Sequence, residues 1–181
     1  MGENVGKGKV KTEQKSIINC LNDAKDEIAS LADEMSEWRD NMEGTNLEYT
    51  SKYETVSESA DTLEDQSSSL EDVISEIEEI KGFNLEKTTE VTLFQSKRPS
   101  RRDRLDMATT YLSAAKDELQ DQVDEIREKV RQLEELDTLN QEQQKEKETL
   151  EESADNMEDQ LNELDNIISE LEGIEFPGMY G

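Results

Sequence analysis

The stretch SADTLEDQSSSLEDVISEIEEI (Ser59–Ile80) recurs as SADNMEDQLNELDNIISELEGI (Ser153–Ile174), without a gap and at a constant offset of 94 residues. Twelve of the 22 positions are identical, and the apolar exchanges are mild: Leu63/Met157, Val73/Ile167 and Ile77/Leu171. A chain that repeats itself in this way is a duplicated unit. Each remaining segment belongs to one copy, to the other, or to what joins them.

Working outward from the repeat, apolar residues continue at helical spacing. Ile17, Leu21, Ala24, Ile28, Leu31, Met35, Trp38 and Met42 follow one another by alternating steps of four and three, a heptad seam on one helix. Thr12 is placed to cap it, and Gly44-Thr45-Asn46 supplies an exit and the next cap. A second helix then carries Tyr49, Tyr53, Val56, Ala60, Leu63, Ser67, Leu70, Ile74 and Ile77, so the short turn makes an antiparallel hairpin.

The same pair returns in the second half. Leu105, Ala108, Leu112, Ala115, Leu119, Val123, Ile126, Val130 and Leu133 form a third seam. Leu112–Leu119 matches Leu21–Ile28 at an offset of 91. The fourth seam runs Leu150, Ala154, Met157, Leu161, Leu164, Ile168, Leu171 and Ile174. The offset grows from 91 to 94 between the helices, which places three extra residues in the second hairpin loop.

The predicted fold class is all-α: two tandem antiparallel helical hairpins forming a four-helix, coiled-coil-like bundle. The expected organisation is a flexible basic arm (residues 1–11), hairpin copy one (12–81), a connector with a basic patch (82–104), hairpin copy two (105–175) and an apolar C-terminal tail (176–181). The apolar stripe broadens near the connector, at Ile17/Ile18, Val73/Ile74 and Ile167/Ile168, and thins towards the hairpin tips. Wide stripes face more than one neighbour. That predicts a four-helix region at the connector end with looser tips.

In the connector, Thr89–Phe94 alternates with period two. A lone strand is marginal without a partner, so a docked loop is expected. Lys97–Arg104 is basic, and Ser100 with Asp103 forms a capping arrangement that starts the third helix.

Charge narrows the function. The chain carries −27 with no histidine, and 37 % of its residues are charged against 31 % hydrophobic. The helical segments hold the negative charge, while the arm and the connector are basic. Without histidine, Ser/His and Cys/His catalysis and His-containing metal sites are excluded. Gly6-Lys7-Gly8-Lys9 lacks the spacing of a phosphate-binding loop, and no Asp-x-Asp-x-Asp-Gly calcium loop occurs. No enzyme activity, cofactor or dedicated metal site is expected. The single Cys20 sits beside the Leu21 seam position, half-buried on this reading, with an intermolecular disulfide as the lesser option. The absence of a long apolar run or signal-like start points to a cytoplasmic protein with no membrane contact.

The candidate contact residues are carboxylates identical between the copies: Asp61, Glu64, Asp65, Glu76 and Glu78, with Asp155, Glu158, Asp159, Glu170 and Glu172. They suit either solvated outer faces that keep the chain soluble and monomeric, or faces that engage a basic partner surface. An acidic helix presents one or two carboxylates per ~5.4 Å turn, and duplex DNA one phosphate per ~3.4 Å of strand. A bundle of this kind therefore suits a nucleic-acid-binding groove and does not itself bind nucleic acid through its acidic body. Lys97–Arg104 reads as a neutraliser of nearby acidic helices. The tail residues Phe176, Met179 and Tyr180 either fold back over the bundle or form a partner motif, and Trp38 is in register with the core.

Glu37-Trp38-Arg39-Asp40-Asn41, Lys52-Tyr53-Glu54 and the ending Ile174-Glu175-Phe176-Pro177-Gly178-Met179 resemble small acidic helical proteins encoded by bacteriophages and their relatives. The resemblance covers three short motifs and assigns no functional residues. It implies a non-enzymatic product acting in the host cytoplasm, as inhibitors of host or defence proteins do, DNA mimics among them. The expected function is an acidic inhibitor that binds a protein with a basic nucleic-acid- or nucleotide-binding surface. The alternative is a structural coiled-coil scaffold acting as a homo-oligomer, in the simplest case a homodimer.

Overall fold

The computed structural model describes residues 8–178. The seams form four helices, α1 (Ile17–Met42), α2 (Ser51–Glu79), α3 (Arg101–Glu134) and α4 (Gln141–Glu172). Two strands, β1 (Lys9–Ser16) and β2 (Thr88–Gln95), precede α1 and link α2 to α3. Each helix starts on a side-chain cap that accepts a backbone N–H: Ser16, Thr50, Ser100 and Asn140. At α3 the predicted Ser100/Asp103 pair closes a full capping box. Helix α1 ends at Gly44, whose φ of +71° is a left-handed exit that favours glycine.

The fold is mainly helical but not purely all-α. The segment expected as a docked loop is β2, and its partner is the basic arm: Lys9 lies opposite Gln95 and Ser16 opposite Thr88 in an antiparallel ribbon. Residues 9–11 are thus paired strand and not a flexible arm, while residues 1–7 lie outside the described residues. Thr12 is in mid-strand, its hydroxyl 3.2 Å from that of Thr92, and the α1 cap falls four residues later at Ser16. The ribbon's inner face buries Val91 and Leu93 against the helices. Three basic residues assigned to the connector, Arg101, Arg102 and Arg104, belong to the first turn of α3. At the tip of hairpin one a 3-10 turn, Asn46–Tyr49, intervenes, and Tyr49 is 87 % exposed instead of continuing the seam.

Strand β2 also explains how the hairpins meet. It carries the chain back along the bundle, so α3 begins beside the C-terminal half of α1, where Arg101 reaches Glu34. It then runs antiparallel to α1, with Arg104 paired to Glu27 and, further on, Tyr111 bonded to Glu13. Past the end of α2, the Gln122 side chain holds both backbone polar groups of Asn84, at 2.8 and 3.1 Å. Helix α4 returns antiparallel to α2, and the Ser59 hydroxyl donates to the Glu175 carbonyl.

The hairpins therefore overlap side by side and point their tips in opposite directions. The expected four-helix region is not confined to the connector end; it extends along hairpin one. Only the outer part of hairpin two is a two-helix extension, and no residue from Arg131 to Ser153 is buried. The overlap encloses one core, with Leu21, Ile28, Leu31, Met35, Leu63, Leu70, Leu112, Leu119 and Met157 fully buried. Cys20 is fully buried as well, and burial pushes its thiol up to about 11, so an intermolecular disulfide needs unfolding first.

Candidate acidic interaction faces

Helices α2 and α4 lie antiparallel, and their long central stretches hold no cation. From Tyr53 to Glu79 there are ten carboxylates and no Lys or Arg, and from Glu148 to Glu172 there are again ten and none. The apolar positions of these stretches are taken up by the seams, so the acidic ones point outward. Five of the twenty meet a cation from elsewhere: Asp61 with Arg39 at 2.8 Å, Asp155 and Glu158 with Arg127 at 2.7 and 2.6 Å, Asp165 with Lys116, and Glu151 with Lys147. The other fifteen make no ion pair among the described residues.

Two grooves run between α2 and α4, of about 290 and 420 Å³. The first is lined by Thr55, Glu58, Ser59, Thr62, Glu170 and Ile174. The second is lined by Thr149, Glu152, Ser153, Asn156, Glu76 and Ile80. Each of these six residues of one groove stands 94 positions from its counterpart in the other. With α1 antiparallel to α3 and α2 antiparallel to α4, an approximate two-fold axis perpendicular to the helices relates the copies. The acidic face is centred on that axis.

The ten candidate carboxylates divide by this geometry. Glu76, Asp159 and Glu170 line the grooves. Glu64, Asp65, Glu78 and Glu172 are exposed on the outer faces. Asp61, Asp155 and Glu158 clamp an arginine of the neighbouring helix in their own hairpin. Those three therefore help hold the hairpins together, which their repetition did not disclose. Glu158, then Asp155, hold the Arg127 guanidinium well above its ordinary value. Four groove carboxylates were absent from the candidate set: Glu58, Glu79, Glu152 and Glu175. Glu58 and Glu152 are identical at the same offset and sit one residue before the repeat as first delimited, whereas Glu79 and Glu175 stand opposite Gly173 and Lys81 at that offset and are not repeated.

Between α1 and α3, arginines bridge the two hairpins. Arg104 bridges Glu27 and Glu34 and donates to the Ser30 hydroxyl, and Arg101 adds a second contact to Glu34 at 3.2 Å. Burial works to raise the Glu34 carboxyl, but Arg104 and Arg101 outweigh it and hold it below the usual carboxylate range. Trp38 is half-buried at the core edge, with Lys52 at 5.5 Å and Arg101 at 5.0 Å from its ring. In the tail, Ile174 is buried, Arg102 donates to its carbonyl, and the same guanidinium lies 5.5 Å from the Phe176 ring. This end of the tail folds back on the bundle. Met179 and Tyr180 lie outside the described residues. No described helix is long and apolar enough to cross a membrane.

No family of proteins, no curated protein and no solved structure matches this chain.

Proposed function

We propose that this chain is a non-enzymatic binding protein whose α2–α4 face occupies a basic, nucleic-acid- or nucleotide-binding surface of a partner protein, in the manner of a DNA mimic. The observation that carries this reading is the segregation of charge. Of the twenty carboxylates on the cation-free stretches of two adjacent antiparallel helices, fifteen make no ion pair among the described residues, while Arg101 and Arg104 are spent on holding α3 to α1. A surface that only needed to be soluble would gain from interleaved Lys at i,i+4, about 0.2–0.5 kcal/mol per pair. This one forgoes that gain from Tyr53 to Glu79 and again from Glu152 to Glu172.

The spacing fits. Ten carboxylates over the ~40 Å from Tyr53 to Glu79 give about one per ~4 Å, close to the ~3.4 Å phosphate repeat of a DNA strand. Packed helices lie ~8–10 Å apart, between the widths of the two DNA grooves, ~6 and ~12 Å. The phage-type resemblance is consistent with such an inhibitor acting in a host cytoplasm.

The test is capture of partners on the immobilised protein, with duplex DNA as competitor, at low and high salt. The expected partner binds nucleic acid or nucleotides and is released by DNA. It is lost as salt screens the contact, and it is not captured by a Glu58→Gln, Glu76→Gln, Glu152→Gln, Glu170→Gln variant. Recovery of nothing but the protein itself at both salts, or capture unchanged by the four substitutions, sinks the proposal.

A further inference from the structure

We propose that the outer edge of β2 pairs with the same edge of a second copy, antiparallel about Thr92, to close a four-stranded sheet in the order β1–β2–β2–β1. The ribbon has two open edges and they differ in chemistry. The β1 edge is guarded by Lys9, Lys11 and Lys15, a common protection against strand addition. The β2 strand, TTEVTLFQ, has one charge, no proline and no glycine, and is rich in β-branched residues. That composition favours pairing and leaves the edge undefended.

The ladder shows which groups the edge offers. Ile17 N–H bonds the Lys87 carbonyl at 3.0 Å, in the same register as Lys15 opposite Thr89 and Glu13 opposite Val91. By the alternation of an antiparallel pair, the odd-numbered β2 residues spend their backbone groups on β1. The N–H and C=O of Thr88, Glu90, Thr92 and Phe94 therefore face outward. All four residues are exposed, and no main-chain bond from another element reaches them among the described residues.

Charge selects a second copy as the occupant and Thr92 as the centre. Antiparallel pairing about Thr92 sets Glu90 opposite Phe94, so the even-numbered, outward-facing groups of the two strands meet. It also brings the turn that carries Glu86 beside the Lys97–Arg98 bend of the other copy, twice by symmetry. Glu86, Lys97 and Arg98 have no ion-pair partner among the described residues. On the solvent face, Phe94 and Val10 are 62 % and 70 % exposed and stand opposite each other, two apolar side chains that the wider sheet would flank. The interface lies away from the acidic grooves, so it is independent of the partner reading above.

The experiment is light-scattering mass and sedimentation of the full chain over a concentration series. Thr92→Pro removes an outward N–H without touching the ladder to β1. Thr12→Pro removes the same hydroxyl pair from the other edge. Wild type and Thr12→Pro are expected to dimerise, and Thr92→Pro to lose the dimer with its helical circular dichroism unchanged. Glu86→Arg should weaken the dimer and Glu86→Arg with Arg98→Glu restore it, which decides the matter even where a proline variant fails to fold. Because each copy carries −27, salt raised from about 50 to about 500 mM should strengthen this dimer, opposite to its effect on acidic-face capture. A wild type that stays monomeric at about 100 μM in high salt overturns the proposal, as does a dimer lost in Thr12→Pro and kept in Thr92→Pro. The four groove Glu→Gln substitutions should leave the dimer intact, so failure of either proposal is read separately.

Discussion

The Tyr111 hydroxyl donates a 2.6 Å hydrogen bond to the Glu13 carboxylate, tying strand β1 to the first third of α3 across 98 positions of sequence. Lys15 completes the contact, 4.4 Å from the Tyr111 ring and paired with Asp23. The ribbon has few other anchors beyond Val91 and Leu93, so this one should matter out of proportion. Tyr111→Phe should destabilise by about 1–2 kcal/mol, a fall in Tm of several degrees for a domain of this size. Amide exchange should quicken in Lys9–Ser16 before it does in α4. Equal protection of β1 in both proteins would refute this.

The same contact makes stability depend on pH at both ends of the scale. Glu13 is held below its ordinary value, chiefly by the Tyr111 hydrogen bond against the opposing effect of burial, with help from Lys11 and Lys15. A lowered carboxyl contributes stability above its unfolded value and loses it as pH falls through the folded one. Tyr111 is pushed up to about 12, first by burial and then by Glu13. Between about 10 and about 12 the folded chain keeps a proton that the unfolded chain has released, so stability falls as pH rises through that window. Denaturant titrations at stepped pH should show both slopes in wild type; Tyr111→Phe should lose the alkaline contribution and keep only the part of the acid one that Lys11 and Lys15 supply.

The seams, the caps at Ser100 and Gly44 and the pairing of helices into hairpins were legible because helical periodicity is local and repeated. The ribbon was not. Thr89–Phe94 showed its alternation plainly, but a strand needs a partner, and Val10, Thr12 and Gln14 alternate among lysines that look like a solvated arm. The two segments lie some 80 residues apart, and no local rule joins them. Internal repetition would also have misled: residues 10–16 correspond to 101–107 at an offset of 91, which are helical in the second copy. The acidic face was legible as composition. Which carboxylates clamp arginines was not, since Arg39 and Arg127 do not occupy equivalent positions in the two copies.

Arg104 is the cation that fastens α3 to α1. Its removal leaves Glu27 and Glu34 two turns apart on one helix face, with Arg101 as the remaining partner of Glu34. Arg104→Ala should destabilise by about 1–2 kcal/mol, above a single exposed pair because the guanidinium serves three acceptors. Arg104→Lys should recover only part, lacking the fork that reaches both carboxylates. Since Glu34 is held low, its contribution is present above the unfolded value and lost as pH falls through the folded one. The difference between Arg104→Ala and wild type should therefore shrink in acid. A difference that stays constant from neutral pH to about pH 3 would mean that lost packing, not charge, accounts for it.

The two copies also differ where repetition would suggest a filled core. Leu161 is buried between α3 and α4, but its counterpart is Ser67, half-buried in an open groove of about 400 Å³ with Ala29, Ala32 and Ser36. Opposite these, the second copy has Val123 in place of Ala32, so hairpin one is thinner on both sides of this contact. Ser67→Leu restores an apolar residue at a seam position with room to receive it. It should stabilise by about 0.5–2 kcal/mol, because burying the new side chain adds apolar area without displacing a buried neighbour. Thermal unfolding should then shift up by a few degrees, and Leu161→Ser should shift it down by more, since that change opens a buried site. If Ser67→Leu lowers Tm instead, the small residues of hairpin one are there to let α1 and α2 approach closely, and the groove is closed by packing that a leucine disrupts.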